Sequence, residues 1–170
     1  TVNEMYEYIS EFKPEADFGK KFKYSNTGMA LLGNILSLAE GKDYETLVIE
    51  QALKPLQMNS TVFSPTPKLK KNMAVGHNEY GKSVSYYFEG SAFNPTGGLR
   101  SNVNDLLNFA AANLGLMKTN LSPALELFQT KRGRLGIENG YDADIEYDYA
   151  MGWNIWTKRG KTIYWKDGTS

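Results

Sequence analysis

Two apolar stripes of helical period, separated by a glycine and a capping acid, limit what this chain can fold into more than any other feature. In "TGMALLGNILSLAE", Met29, Leu32, Ile35, Leu36 and Ala39 recur at three- and four-residue steps. That spacing places them on one face of a helix from Thr27 to about Glu40 and predicts that the face is buried. Gly41 ends this helix and Asp43 caps the next, which carries Leu47, Val48, Ala52 and Leu56 and is stopped at Pro55. Thr1 and Glu4 have capping-box spacing for a short helix over "TVNEMYEYISEF". "SNVNDLLNFAAANLGL" predicts another helix, capped by Ser101 with Asp105 in its first turns. "SPALELF" predicts one more, with Pro123 at its first helical position.

The pattern then changes. Residues 57–100 are rich in Pro, Ser, Asn and Gly and read as a long connection with at most short strands. "YAMGWNIW" and "KTIYWK" are aromatic and β-branched runs joined through Thr157 to Gly160, which predicts a β-hairpin. Helices first and strands last make an α+β chain. Residues 1–148 read as mainly helical with long connections, and residues 149–170 as a hairpin of a larger sheet. A chain of 170 residues that is 41% hydrophobic is expected to bury a sizeable core as one unit. Nineteen basic and nineteen acidic side chains give zero net charge, so no general attraction to nucleic acid or anionic membrane is expected. No apolar run approaches the ~20 residues of a membrane-spanning helix. Without cysteine, disulfides and thiol catalysis are excluded. The chain starts at Thr1 and stops at Ser170 without a closing element, and both ends are expected to be cut points.

The candidate chemistry begins at Tyr24-Ser25-Asn26, immediately before the first apolar helix. A Tyr-x-Asn triplet is expected roughly once by chance in such a composition. Taken alone it reads as punctuation, with Asn26 or Thr27 capping the helix and Tyr24 packing beside it. Lys-x-Gly occurs at Lys131, Lys158 and Lys166. Lys131 follows a helix and Lys158 is placed in the hairpin turn, whereas Lys166 follows the strand run "TIYW". Asp167-Gly168 would by itself mark a turn. Ser10 and Lys13 form a Ser-x-x-Lys, which is also expected about once by chance. His77 stands in a loop without nearby ligands and reads as structural or exposed. "DADIEYD", Asp142 to Asp148, alternates acids but lacks the turn glycine and closing glutamate of a calcium loop. "KLKK", Lys68 to Lys71, reads as a solvated turn, and Gly97-Gly98 as a tight turn before Ser101.

"FKYSNTGMALLGNILSLAEGKDYETLVIEQALKPLQMNSTVF", followed in order by "NPTGGLRSNVNDLLNF", "MGWNIW" and "KDGTS", resembles the serine β-lactamase and penicillin-binding-protein family, in its class C and D-alanyl-D-alanine carboxypeptidase branch. There, "YSN" opens a helix like "GYxLLGxIIE", a "PLGM" turn follows, then "GGLxSTxxDLxxF", a glycine-tryptophan strand and Lys-Thr-Gly. Gln57 departs from the glycine of that turn, and Asp167 from the threonine of the last motif. The resemblance implies a β-lactamase/transpeptidase-like fold, represented by most of the helical lobe and part of the antiparallel sheet.

It also implies a bacterial serine hydrolase that acts through an acyl-enzyme on D-alanyl peptides, β-lactams or related esters, at an extracytoplasmic address and without metal or cofactor. Tyr24 would be base or proton shuttle. Unperturbed, its pKa of about 10 makes it a weak base at neutral pH, and flanking lysines favour its phenolate. Asn26 would bind the substrate's amide side chain. Lys166 would assist Tyr24 and attract a substrate carboxylate, and Gly168-Thr169 would present the Thr169 N–H to an oxyanion. Ser10 lies 14 residues before Tyr24, too close for the family's intervening helices, so the nucleophile is expected outside this chain. The chain alone is expected to be inactive and to associate with the missing segment or another chain. Two alternatives stay open: a catalytically silent relative that binds a peptidoglycan-like ligand or protein partner, and a helical interaction domain.

Overall fold

The computed structural model describes residues 1–14, 19, 22–84, 92–135 and 145–168. They gather into two compact units, Thr1–Asn108 and Phe109–Thr169, where composition suggested one.

In the first unit, α1 (Val2–Glu11) begins at the expected capping box: Thr1 Oγ1 accepts from the Glu4 N–H at 3.3 Å and donates to the Glu4 carboxylate at 2.8 Å. Helix α2 (Asn26–Glu40) ends at Gly41, whose φ of 62° only glycine adopts without strain. Helix α3 (Tyr44–Val48) starts at Asp43, whose carboxylate accepts from the Thr46 N–H at 2.9 Å and the Thr46 hydroxyl at 2.6 Å. Those bonds hold Asp43 below the usual carboxylate range. The helix then widens into a π-helical turn, Ile49–Leu53. This change of pitch leaves Leu47, Leu53 and Leu56 buried, while Val48 and Ala52 of the expected stripe are half-buried.

Helix α2 corrects the sequence reading most sharply. Its apolar stripe is not buried: Met29, Leu32, Ile35 and Leu36 are 44–50% exposed, and Ala39 is exposed too. The buried positions are Ala30 and Gly33. With Asn34 and Ser37 they form a face centred roughly 150° around the helix from the stripe. That face meets α5 (Asn94–Gly97), and α2 also contacts α1 and α3. Small residues let α5 approach closely. An added Cβ at Gly33 would lie 2.3 Å from Pro95 Cγ. Asn34 Nδ2 donates to its own helix at Ala30 O (2.8 Å) and reaches Ala92 O at 3.4 Å.

The long connection carries α4 (Pro67–Lys70), the two-residue antiparallel strands β1 (Gly76–His77) and β2 (Ser83–Val84), and α5. Its ends are tied together. Val62 bridges Arg100, and Arg100 Nη1 donates to Phe63 O at 3.1 Å. Asp105, buried in the first turn of α6 (Val103–Asn113), accepts from the Ser60 N–H at 2.8 Å and the Thr61 hydroxyl at 2.7 Å. Asn102, not Ser101, caps α6, its Oδ1 accepting from the Asp105 N–H at 3.0 Å; Ser101 Oγ lies 2.7 Å from Thr61 Oγ1 instead.

In the second unit, α7 (Ser122–Phe128) precedes a four-stranded antiparallel sheet in the order β3 (Gly133–Arg134), β4 (Glu146–Tyr149), β5 (Asn154–Lys158), β6 (Lys161–Trp165). The hairpin β5–β6 is the expected one, and β3 and β4 extend it. "YAMGWNIW" is two strands rather than one. Tyr149 ends β4, Gly152 turns the chain at φ 85°, and Asn154 opens β5. Arg159 and Gly160, with φ 50° and 72°, make the two-residue turn whose twist suits a hairpin. Asp148 is buried on β4, with Lys131 Nζ 2.6 Å from its carboxylate. Trp156 packs on Tyr147 and Trp165, with ring centroids 5.8 Å and 4.8 Å away.

The Gly33–Pro95 contact gives a direct test. Gly33→Ala should destabilise the protein by about 1–3 kcal/mol through overpacking. At Gly28 an added Cβ would only touch Ser25 at 3.4 Å, so Gly28→Ala should be neutral or stabilising by up to about 1 kcal/mol. Denaturant midpoints decide; equal effects at the two glycines would refute the close approach.

Candidate active site

Tyr24 sits two residues before the first residue of α2 and is 59% exposed. What fixes it is the next residue. Ser25, in extended backbone conformation, is the N-cap of α2, and its Oγ accepts from the Gly28 N–H at 2.9 Å. The sequence reading gave that role to Asn26 or Thr27. With Ser25 as cap, Asn26 becomes the first helical residue and is exposed, available for an outside partner rather than for the helix. The helix start adds partial positive charge from its N–H groups beside both side chains. Tyr24 and Asn26 are thus brought together by one helix terminus. The missed residue is Ser25, whose signal was a serine three positions before the N–H it satisfies.

Lys166 and Gly168 lie just beyond β6, and Thr169 falls outside the described residues. Lys166 Nζ donates to the Asp167 carbonyl and lies 3.6 Å from the Asp167 carboxylate. Around Gly168 an added Cβ would meet nothing within 4 Å. One criterion used to select Lys166 does not survive. Lys158 is the last residue of β5, paired with Lys161, because the strands continue to the Arg159-Gly160 turn. Lys166 follows its strand by one residue. The match of "KDGTS" to the family motif is what distinguishes it. Tyr24 and Asn26 belong to the Thr1–Asn108 unit, Lys166 and Gly168 to the Phe109–Thr169 unit.

The discarded candidates are placed as follows. Ser10 is in α1 with its hydroxyl donating to Glu7 O at 2.7 Å, and Lys13 lies beyond the helix end at Phe12, so the pair does not share a helix. His77 is exposed on β1, and Lys68 and Lys70 are exposed on α4. Of the acidic run, residues 142–144 lie outside the described set, and Glu146 and Asp148 are on β4. No cluster of three His, Asp or Glu side chains suited to a metal occurs among the described residues. A cleft of about 460 Å³ is lined by Asn34, Asp43, Tyr44, Asn94 and Pro95 among others, and includes neither Tyr24 nor Asn26. Burial raises the Tyr44 phenol above its ordinary pKa there, and its ring meets Phe63 edge-on at 5.8 Å.

An α+β chain that presents Tyr-x-Asn at a helix start and Lys-x-Gly after a sheet strand has the parts of a β-lactamase-type domain in the expected order. The Beta-lactamase family profile matches residues 1–170, and the chain belongs to that family. It is 26% identical over 133 residues to a beta-lactamase of Psychrobacter immobilis, covering 76% of this chain and 32% of that protein. Over 75 residues it is 35% identical to the D-alanyl-D-alanine-carboxypeptidase/endopeptidase AmpH of Escherichia coli K12, covering 44% of this chain and 20% of AmpH. The D-alanine carboxypeptidase AmpC of Burkholderia cenocepacia superposes with a TM-score of 0.75 at 25% identity, covering 91% of this chain and 42% of that one. The fold is therefore β-lactamase/transpeptidase-like. The chain spans a third or less of these two curated relatives.

The cap can be tested apart from any activity. Ser25→Ala should cost about 1 kcal/mol of stability and Ser25→Gly only a few tenths, as expected when one side-chain oxygen serves one helix N–H. Equal losses, measured by denaturant unfolding, would show that Ser25 does not act as the cap.

Proposed function

We propose that this chain is the Tyr-x-Asn and Lys-x-Gly portion of a serine hydrolase acting on D-alanyl peptides, β-lactams or related esters. The observation that carries the proposal is Tyr24, exposed at the start of α2, held by the Ser25 cap, in a chain matched along its whole length by the Beta-lactamase family. A serine hydroxyl attacks a carbonyl effectively once a base removes its proton. Tyr24 takes that proton and passes it to the leaving nitrogen or oxygen as the carbonyl bond breaks, leaving the acyl group on serine. Water then releases the acyl group by the reverse proton path.

Asn26, one turn-start away from Tyr24, holds the substrate's amide. Lys166 supplies positive charge for the anions that form or bind there. The Thr169 N–H, next to a glycine, stabilises the oxyanion. The attacking serine comes from outside these 170 residues, since the one Ser-x-x-Lys here is committed to α1 and its end. The chain by itself is then inert and works with the polypeptide that carries the serine. An extracytoplasmic location belongs to the same proposal. A silent, ligand-binding relative is the second reading, favoured by the Asp167 carboxylate beside Lys166. Labelling of the complete gene product with a fluorescent penicillin or fluorophosphonate, then mapping of the modified serine, separates the two: absence of any labelled serine supports the silent relative.

In the complete gene product, Tyr24→Phe should lower turnover by about 10²-fold or more, the scale of general acid–base catalysis, while thermal melting stays unchanged. Full activity of the variant would return Tyr24 to a packing role.

Lys166 and Asp167 should act in opposite directions. Lys166→Ala should raise KM several-fold for substrates with a free carboxylate and leave neutral esters nearly unaffected. Asp167→Thr should lower KM for the carboxylate substrates. Steady-state kinetics on a matched acid and ester pair reads both, and parallel changes for the two substrates would exclude a charge effect.

A further inference from the structure

We infer that the outward stripe of α2, Met29, Leu32, Ile35 and Leu36, is the docking surface for the polypeptide that supplies the rest of the β-lactamase fold. A helix lying on a protein surface turns its apolar stripe inward and its polar residues outward. Here α2 does the reverse. Its stripe is 44–50% exposed while Ala30 is fully buried. The rotation is fixed by the absence of a side chain at Gly33, against which Pro95 sits, and by Asn34 reaching Ala92 O. The helix cannot turn its stripe inward without driving larger side chains into Pro95.

The occupant follows from the size of the fold. At a TM-score of 0.75 this chain accounts for 42% of the Burkholderia carboxypeptidase chain, so more than half of that molecule lies beyond the matched part. Among the described residues, eleven apolar side chains are buried, four of them alanine, and twenty-four large apolar side chains are exposed. That ratio belongs to part of a core, not to a finished one. A second copy could lay stripe on stripe, but it would leave the fold as incomplete as before. The inference rests on family membership and not on the chemistry proposed for Tyr24.

The test is made on the complete gene product. Carbene labelling should mark Leu32 and Ile35 at least fivefold less than in the urea-unfolded protein. The triple substitution Leu32→Gln, Ile35→Gln, Leu36→Gln should lower the melting midpoint by roughly 10 °C or more, since it strips three buried side chains. Labelling at the unfolded level, or a midpoint within about 2 °C of the parent, would overturn the inference. So would light scattering that shows a dimer whose dissociation uncovers the stripe, which would make a second copy the occupant. Neither readout uses activity, so this inference and the proposed chemistry can fail separately.

Discussion

Helix α2 can lie against α5 as it does because residue 33 has no side chain; Pro95 occupies the space in which a Cβ would stand. Much in the first unit depends on that approach. It sets the rotation of α2 about its axis, and so determines that Ala30 faces α1 and Ala92 in the small core with Met5. It leaves the larger side chains of the helix outward. It also anchors the helix one to two turns from Ser25, so the residues before the cap are presented by an element whose body cannot roll. A tyrosine on a freely rotating helix would be a poor proton carrier, because general acid–base catalysis requires hydrogen-bond distance and alignment.

The position of α5 is set in turn by a polar anchor. The Asp105 carboxylate collects the Ser60 N–H and the Thr61 hydroxyl, while Arg100 closes on the Phe63 carbonyl. Two segments some 40 residues apart in sequence are thereby joined just after α5. Gly98 belongs to the same joint: an added Cβ would lie 2.9 Å from Phe63 Cδ1 and from Asn94 O. A buried carboxylate whose bonds are met by specific donors orders a loop more sharply than apolar contact, since losing a partner costs the full desolvation of the charge. Gln57 shows what the nearby turn demands. It adopts φ 56°, a conformation natural to the glycine that the family carries there.

The elements that were legible in sequence are those governed by local chemistry. Thr1 with Glu4, Asp43 with Thr46, Gly41, and the β5–β6 hairpin each rest on residues within a few positions of one another. The helix start at Tyr24-Ser25-Asn26 was legible for the same reason, though the cap is Ser25. The inward face of α2 was not. Periodicity reveals where an apolar stripe runs but not whether the covering surface is present. The competing stripe of Ala30, Gly33 and Ser37 carries its information in smallness rather than hydrophobicity. Strands β3 and β4 were missed because Gly133–Arg134 is too short for a pattern and Glu146–Tyr149 alternates charges with tyrosines. Lys158 was misplaced because a two-residue turn leaves more of the chain to the strands than a four-residue one. The ion pair of Asp148 with Lys131 joins residues 17 apart and has no local signal.

Asp167 is where the sequence departs from its family and where the structure gives the departure a consequence. An exposed pair such as Lys166–Asp167, at 3.6 Å, holds little free energy, because water competes for both charges and their side chains lose freedom in meeting. A substrate carboxylate could therefore displace the Asp167 oxygen at small cost. The net charge is another matter. With the carboxylate next to it in the chain, Lys166 no longer presents a unit positive charge to anything more than a few ångströms away, whether or not the pair is formed. The long-range attraction that gathers anionic substrates weakens even if the short-range contact remains available. The two effects separate in kinetics: loss of steering lowers the association rate and its dependence on salt, whereas loss of contact raises the dissociation rate. On this reasoning Asp167 acts on how fast an acidic substrate arrives rather than on how tightly it is held. That is the signature to expect if the end of β6 binds a substrate carboxylate.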